Sequence, residues 1–374
     1  AGRRDLVSAI IGLTLLKAEI VNNVALLPFI SPAEDEPIWN KYLWQRYIDT
    51  DGVTEKWFTS PWLYVECYIY VLKFYDPFRT QKETLLEESM TNIMILGKYV
   101  EEVRQEFDIE EAKEKILYGY LQQFLKISLW GNHFDLSLPV QGDDDDVNTP
   151  LQNLDKLDNH IVVNDLEKVW NILNIVNDNA GYELFCDLCL ADFLCFSDLV
   201  NKINFHVKAI PWFISDATIH DFNWLLHILE SSNVSSSLPI LAARWRNYLD
   251  SGRWQINNEI FWTLPHTYNE MKTWDEQLYN FLSNAILAIF KGDVNYRKLL
   301  AEKNWPSTET FNTALQGFNP TDLLSLRTVK SELICGMQPD QAEKLTDEIP
   351  NWMLSGDYGV IQFDESKKYL NVIE

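Results

Sequence analysis

Residues 172–200 read ILNIVNDNAGYELFCDLCLADFLCFSDLV. A short apolar run, Ile172 to Asn177, breaks at Asp178-Asn179-Ala180-Gly181, and a long apolar stretch from Gly181 to Val200 follows at once. The first run has strand length and β-branched content; the second is long enough for a helix. The same unit recurs downstream. Ile203 to Val207 predicts a second strand, followed by a helix over Ile219 to Glu230. Ala285 to Phe290 predicts a third strand, Leu323 to Val329 with Ser331 to Cys335 a fourth, and Val360 to Phe363 a short last one. Strands alternating with helices predict an α/β fold: a mostly parallel sheet covered on both faces, a three-layer α/β/α sandwich. Ligands of such sheets bind beyond the carboxyl ends of the strands.

Upstream the texture is helical. Residues 61–75 (PWLYVECYIYVLKFY) are apolar nearly all round, which predicts a helix buried on most sides. Residues 109–130 carry Ile116, Leu117, Tyr120, Leu121, Phe124, Leu125 and Leu129 at helical period, with Gly131-Asn132 as the expected stop. Residues 141–160 (QGDDDDVNTPLQNLDKLDNH) are polar and acidic. They suggest a boundary between a helical N-terminal domain, 1–160, and an α/β/α domain, 161–374. Self-repulsion in a solvated loop accounts for Asp143 to Asp146.

Thirty-one Lys and Arg against 55 Asp and Glu leave a net charge of −24 over 374 residues. Such a chain is repelled by nucleic-acid backbones and anionic bilayers, so neither is expected as a partner, and no obligate protein partner is evident. An anionic small molecule needs a local positive site or a bound cation. With 47% apolar and 23% charged residues, the chain is globular rather than disordered. Five cysteines in no framework spacing predict free thiols in a reducing, cytoplasmic setting, with nuclear presence compatible. Cys186 and Cys189 form a CxxC inside an apolar helix, where burial is a plainer role than metal or redox chemistry. Arg3 to Leu16 loosely suggests a signal peptide, but the pattern continues to Val21 as an amphipathic helix. No apolar run reaches the roughly 18 residues of a membrane span. The six histidines lack HExxH spacing, and GxSxG, Walker A and GxGxxG are all missing.

The chemistry collects where strands end. Asp178-Asn179 follows the first strand and immediately precedes a helix; it is either a helix cap or a pair of hard oxygen ligands. Asp216, after the second strand, has the same two readings. Lys291-Gly-Asp-Val-Asn-Tyr-Arg-Lys298 follows the third, offering Asn295 and Arg297 either to a phosphate or to solvent. Arg327-Thr328-Val329-Lys330 follows the fourth, again either phosphate donors or surface residues.

Taken together, these clusters resemble the damage-control phosphatase family, in the branch also described as acidic-residue methyltransferase-like. The matching pieces are Ser128 to Leu138 (SLWGNHFDLSL), Asp178 to Glu183 (DNAGYE) with Asp187, Ile210 to Phe222, Lys291 to Lys298, and Arg327-Thr-Val-Lys330, which fits that branch's RTxK motif. Gly359 to Phe363 closes the match. The resemblance implies a helical N-terminal domain on an α/β/α sandwich, and a divalent cation (Mn, Co or Ni, with Mg as a further candidate) held by Asp178, Asn179 and Asp216. It implies that these three are catalytic, and that Asp178, Asn179, Glu183, Asp293, Val294, Asn295, Tyr296, Arg297 and Lys330 meet the substrate. Asn132, Asp135, Arg327 and Thr328 complete the implied neighbourhood. The activity implied is hydrolysis of sugar phosphates such as fructose 1-phosphate and fructose 6-phosphate. One departure stands out: Glu66-Cys-Tyr-Ile-Tyr70 is followed by Val71-Leu72, where the family carries arginines.

Two other functions fit the same sequence. A carboxyl methyltransferase predicts saturable binding of S-adenosylmethionine. A non-catalytic acidic interaction protein predicts neither turnover nor bound metal.

Overall fold

The computed structural model describes residues 4–29, 35–71, 82, 86–107, 113–136, 154, 157–165 and 174–365. The chain forms two compact units, residues 1–75 with 263–266, and residues 76–262 with 267–374.

The first unit contains helices α1 (Arg4–Val21), α2 (Glu36–Asp49) and α3 (Trp62–Val71). α3 buries Leu63, Tyr64, Val65, Cys67 and Tyr68, as its all-round apolar surface requires. Aromatic rings fill the space around it: Tyr42 stacks on Tyr64 at 4.8 Å between centroids, and Tyr68 meets Phe29 at 4.6 Å. Of Val71-Leu72, which stand where the family carries arginines, Val71 ends α3 and Leu72 lies outside the described residues.

The second unit is built on a seven-stranded sheet. Its strands are β1 (Ile161–Asn164), β2 (Asn174–Val176), β3 (Ile203–His206), β4 (Trp254–Asn257), β5 (Leu287–Lys291), β6 (Asp322–Thr328) and β7 (Gly359–Asp364). They lie in the order β1-β7-β6-β5-β2-β3-β4. Strands β4, β3, β2, β5 and β6 are mutually parallel, β7 runs antiparallel to β6, and β1 is parallel to β7. The expected α/β class with a mostly parallel sheet is therefore observed. β5 is buried at all five residues because both its faces are covered. Leu287 and Ile289 join the core under the helices. Phe290, on the opposite face, meets the rings of Trp262, Tyr268 and Phe318 at 5.4–6.4 Å.

The helices that frame the sheet and the site include α4 (Met90–Phe107), α5 (Lys113–Leu136), α6 (Tyr182–Phe196), α7 (Ile219–Glu230), α8 (Ser237–Asp250) and α9 (Asp293–Leu299). α6 is buried from Tyr182 to Cys195, which explains why its sequence is apolar without a stripe. Cys186 and Cys189 sit inside it as buried free thiols, as the apolar setting predicts. Two expectations change here. The units divide at residue 75 rather than near 160. The reason is packing: Ile93, Leu96, Val100, Phe107, Leu121 and Phe124 of α4 and α5 join the core cluster that holds α6 and the sheet. The acidic run Asp143 to Asp146 lies outside the described residues. Nor does Gly131-Asn132 stop a helix, since α5 runs on to Leu136. Gly131 is instead a contact point: a Cβ there would lie 3.0 Å from the Glu183 Cα and 3.2 Å from the Cys186 Cβ. Among the described residues no helix is long and apolar enough to cross a membrane.

Candidate active site

From β2 the chain lays β3 and β4 on one side, then returns to place β5 and β6 on the other. The order reverses between β2 and β5, and a crevice opens at the carboxyl ends of strands at such a point. The four strand ends singled out by sequence belong to β6, β5, β2 and β3, which are successive neighbours in the sheet.

The loops after β2 and β3 are sewn together. Asn179 and Asp216 form an antiparallel bridge. The Ala217 amide donates to the Asp178 carbonyl at 2.8 Å, and the Ala180 amide to the Ser215 carbonyl at 2.9 Å. Neither acidic position serves as a helix cap. Gly181, at φ +79°, is the N-cap of α6, with no side-chain capping bond. Thr218 caps α7 in a reciprocal capping box with Asp221. With both caps taken by other residues, Asp178, Asn179 and Asp216 are released for another purpose.

Their side chains sit in a buried, strongly charged cluster. The Asn179 amide donates at 2.8 Å to Asp178 Oδ2 and at 2.8 Å to Glu183 Oε2, leaving Asn179 Oδ1 as the amide's acceptor. Lys208 Nζ donates to the Asn177 carbonyl at 2.6 Å and stands 3.1 Å from Asp216 Oδ2. That approach is close but poorly aligned, so Asp216 Oδ2 has no directed hydrogen bond. Lys82 Nζ donates to the Asp216 carbonyl at 3.0 Å and to Asp221 at 3.2 Å. Behind the cluster, Lys291 Nζ lies 2.9 Å from Asp187 and 3.3 Å from Glu183, and donates to the Ser128 carbonyl.

Burial pushes the Asp178 carboxyl well above the usual carboxylate range, and the charges of Glu183 and Asp216 push it further; Lys208 and Lys330 pull the other way. Burial likewise lifts Asp216 to about 6, with Lys208 offsetting part of the rise. Burial alone would lower the Lys291 ammonium, but the Asp187 and Glu183 carboxylates hold it above its ordinary value. Perturbed titrating groups gathered where parallel strands end make this cluster a candidate functional site.

Two carboxylates and one amide oxygen suit a hard divalent cation. A cation would relieve the mutual repulsion of Asp178 and Asp216. Among the described residues no three His, Cys, Asp or Glu side chains form a metal-ligand group, so the amide of Asn179 is essential to this set. Gly292 also belongs to the site. At φ +83°, a Cβ there would fall 2.0 Å from Asp178 Oδ2, so only glycine lets the β5–α9 turn approach that carboxylate.

The remaining expected residues divide. Lys330 reaches the cluster, where its ammonium donates to Asn132 Oδ1 and its charge acts on Asp178. Glu183 is within it. Asp293 and Val294 are half-buried in the first turn of α9. Asn295 is engaged internally, donating to the Lys291 carbonyl at 2.7 Å and accepting from the Tyr268 hydroxyl at 2.5 Å. Tyr296 stacks on Phe311, and Arg297 is paired with Glu302 at 2.8 Å. Arg327 is fully buried and Thr328 nearly so. Asp135 lies in α5, with its side chain outside the described set. Sequence reasoning gave no role to Lys208, Lys291, Lys82 or Ser128. The first two were detectable, because a lysine closes each of two buried apolar strand runs, INFHVK and AILAIFK. A buried ammonium needs carboxylates beside it.

Comparison with known proteins places the chain in a family. The family described as the damage-control phosphatase ARMT1-like domain matches residues 3–345. Damage-control phosphatase ARMT1 of Mus musculus is 39% identical over 379 residues, covering 94% of this chain and 85% of the relative. The Bos taurus protein of the same name is 39% identical over 381 residues (94% and 86%), and that of Homo sapiens 38% over 382 residues (94% and 86%).

Proposed function

The chain belongs to the damage-control phosphatase ARMT1-like family, and from that premise we propose that it hydrolyses sugar phosphates of the fructose 1-phosphate and fructose 6-phosphate type with a divalent Mn, Co or Ni ion. The activity is that of a phosphatase. One observation carries it: Asn179 and Asp216 bridge the loops after β2 and β3 next to Asp178, although neither adjacent helix uses these residues as caps.

In this reading Asp178, Asn179 and Asp216 hold the cation. Once bound, it supplies Lewis-acid polarisation of a phosphoryl oxygen and a nucleophile at neutral pH. The chain's own residues do the rest. Lys330, steadied by Asn132, offsets negative charge on the phosphoryl oxygens as the ester P–O bond breaks and the new P–O bond to water's oxygen forms. The Gly292 amide donates to the Leu326 carbonyl at 2.8 Å, which fixes the β5–α9 turn beside Asp178. Lys208 holds Asp216 and the Asn177 backbone in place, and Lys291 does the same for Glu183 and Asp187. The cluster's burial strengthens each of these interactions relative to water. Because the chain's net charge of −24 opposes an anionic ligand, the few convergent cations carry the attraction.

The test is a phosphate-release screen over sugar phosphates, with and without Mn, Co and Ni. Metal-stimulated release from a fructose phosphate is expected. No release from any sugar phosphate with any of the metals would overturn the proposal.

A further inference from the structure

Arg327 is fully buried, yet the strand that carries it ends at the candidate site. Its Nε donates to Asp293 Oδ1 at 2.8 Å, and its Nη1 donates to the Leu333 carbonyl. Nη2 donates to the Ser331 carbonyl at 3.1 Å and to the Ser331 hydroxyl at 2.9 Å. The guanidinium also covers the Tyr296 ring at 4.2 Å. Each of its three nitrogens is thus already committed to protein, and no face is open to a substrate.

Asp293 is committed in the same way. Its Oδ1 accepts from Arg327 Nε, from the Lys330 backbone amide at 3.1 Å and from the Ser331 hydroxyl at 3.1 Å. The start of α9 is thereby tied to the segment after β6. The neighbouring Val329 is fixed as well, donating to the Tyr358 carbonyl at 2.7 Å and accepting from the Gly356 amide at 3.1 Å. The residue left projecting from this lattice is Lys330, whose ammonium reaches Asn132 and acts on Asp178.

We infer that Arg327 and Asp293 form a clamp that positions Lys330, and that Arg327 itself never touches the substrate. The inference rests on the phosphatase reading of the site and gives its arginine and first aspartate roles different from substrate contact. Arg327 is suited to this as lysine is not, because its planar fork satisfies several acceptors at fixed angles.

The test is a double-mutant cycle on the full chain with Arg327→Lys and Lys330→Met. The probes are inorganic phosphate binding in the presence of Mn, Mn binding alone by calorimetry, and hydrolysis of p-nitrophenyl phosphate. Arg327→Lys is expected to weaken phosphate binding by about tenfold, the loss of one charge-assisted contact, while leaving Mn affinity within about twofold. Ser331→Ala, a milder cut in the same clamp, is expected to move phosphate binding in the same direction by less. The double variant is expected to bind phosphate no worse than Lys330→Met alone. Multiplicative losses would show that Arg327 contacts phosphate independently and would overturn the clamp, as would wild-type phosphate binding in both Arg327→Lys and Ser331→Ala. If the unmutated chain neither binds phosphate nor turns over any ester, the phosphatase reading is what fails. A crystal structure of Arg327→Lys then decides the clamp: Lys330 displaced from Asn132 supports it, and Lys330 unmoved overturns it.

Discussion

Replacing Asp216 with Asn is expected to stabilise the metal-free protein at pH 8. The carboxyl is buried and lifted from 3.8 to about 6. Folding therefore disfavours its ionised form, and the penalty grows as pH rises. A carboxyl raised above its unfolded value contributes fully to stability below pH 4 and loses that contribution as pH climbs through about 6. At about 1.4 kcal/mol per pH unit, the difference between 3.8 and 6 amounts to roughly 3 kcal/mol at pH 8. Asn keeps the shape of the protonated acid without the charge, so Asp216→Asn recovers that amount. For a unit this large, about 2 °C per kcal/mol converts it to roughly 6 °C in melting temperature. The assay is thermal or urea unfolding of both proteins in chelator, at pH 8 and pH 4. The expected gain is near its full value at pH 8 and close to zero at pH 4. Added Mn should then raise the wild type and not the variant, reversing their order. Equal destabilisation of the variant at both pH values would refute the reasoning, since Asp216 would then be an ordinary structural ion-pair partner of Lys208.

Gly292→Ala forces a Cβ to within 2.0 Å of Asp178 Oδ2 at a φ of +83°; it should cost about 2 kcal/mol or more and weaken Mn binding by calorimetry. Lys208→Met leaves Asp216 buried beside no Lys208 ammonium, an expected loss of about 3–5 kcal/mol. That loss should be larger at pH 8 than at pH 5, where Asp216 takes up a proton; equal losses in urea at both would contradict the pairing. Gly131→Ala improves helix propensity but pushes α5 against Glu183 and Cys186, so urea unfolding should show a net loss of about 1–3 kcal/mol; a net gain would mean that α5 and α6 can separate freely.

Strand ends were the most legible part of the molecule. Buried parallel strands require continuous apolar runs, and the polar residues that interrupt those runs land on one edge of the sheet. Asp178, Asn179, Asp216 and Lys330 were visible for that reason. β1 and β4 were not: they are the two edge strands of the sheet, only partly buried, and β4 carries polar Gln255 and Asn257. The division between units was misplaced because a charge run marks solvent exposure, whereas α4 and α5 are assigned by where their apolar stripes pack. Gly131 looked like a helix stop because an isolated sequence cannot distinguish a terminus from a close helix contact. Asn295, Arg297 and Arg327 looked like free donors. Their partners, Tyr268, Glu302 and Asp293, lie on segments whose proximity only the fold creates. The polar residues at strand ends were thus visible along the chain, while the partners that engage their side chains were not.

Anomalous diffraction at the manganese edge, from crystals soaked in Mn, addresses the cation site itself. The expected result is a peak within coordination distance of Asp178, Asn179 and Asp216 that disappears in Asp216→Ala crystals. A phosphatase active with Mn whose anomalous peak lies elsewhere, or survives Asp216→Ala unchanged, would contradict the account.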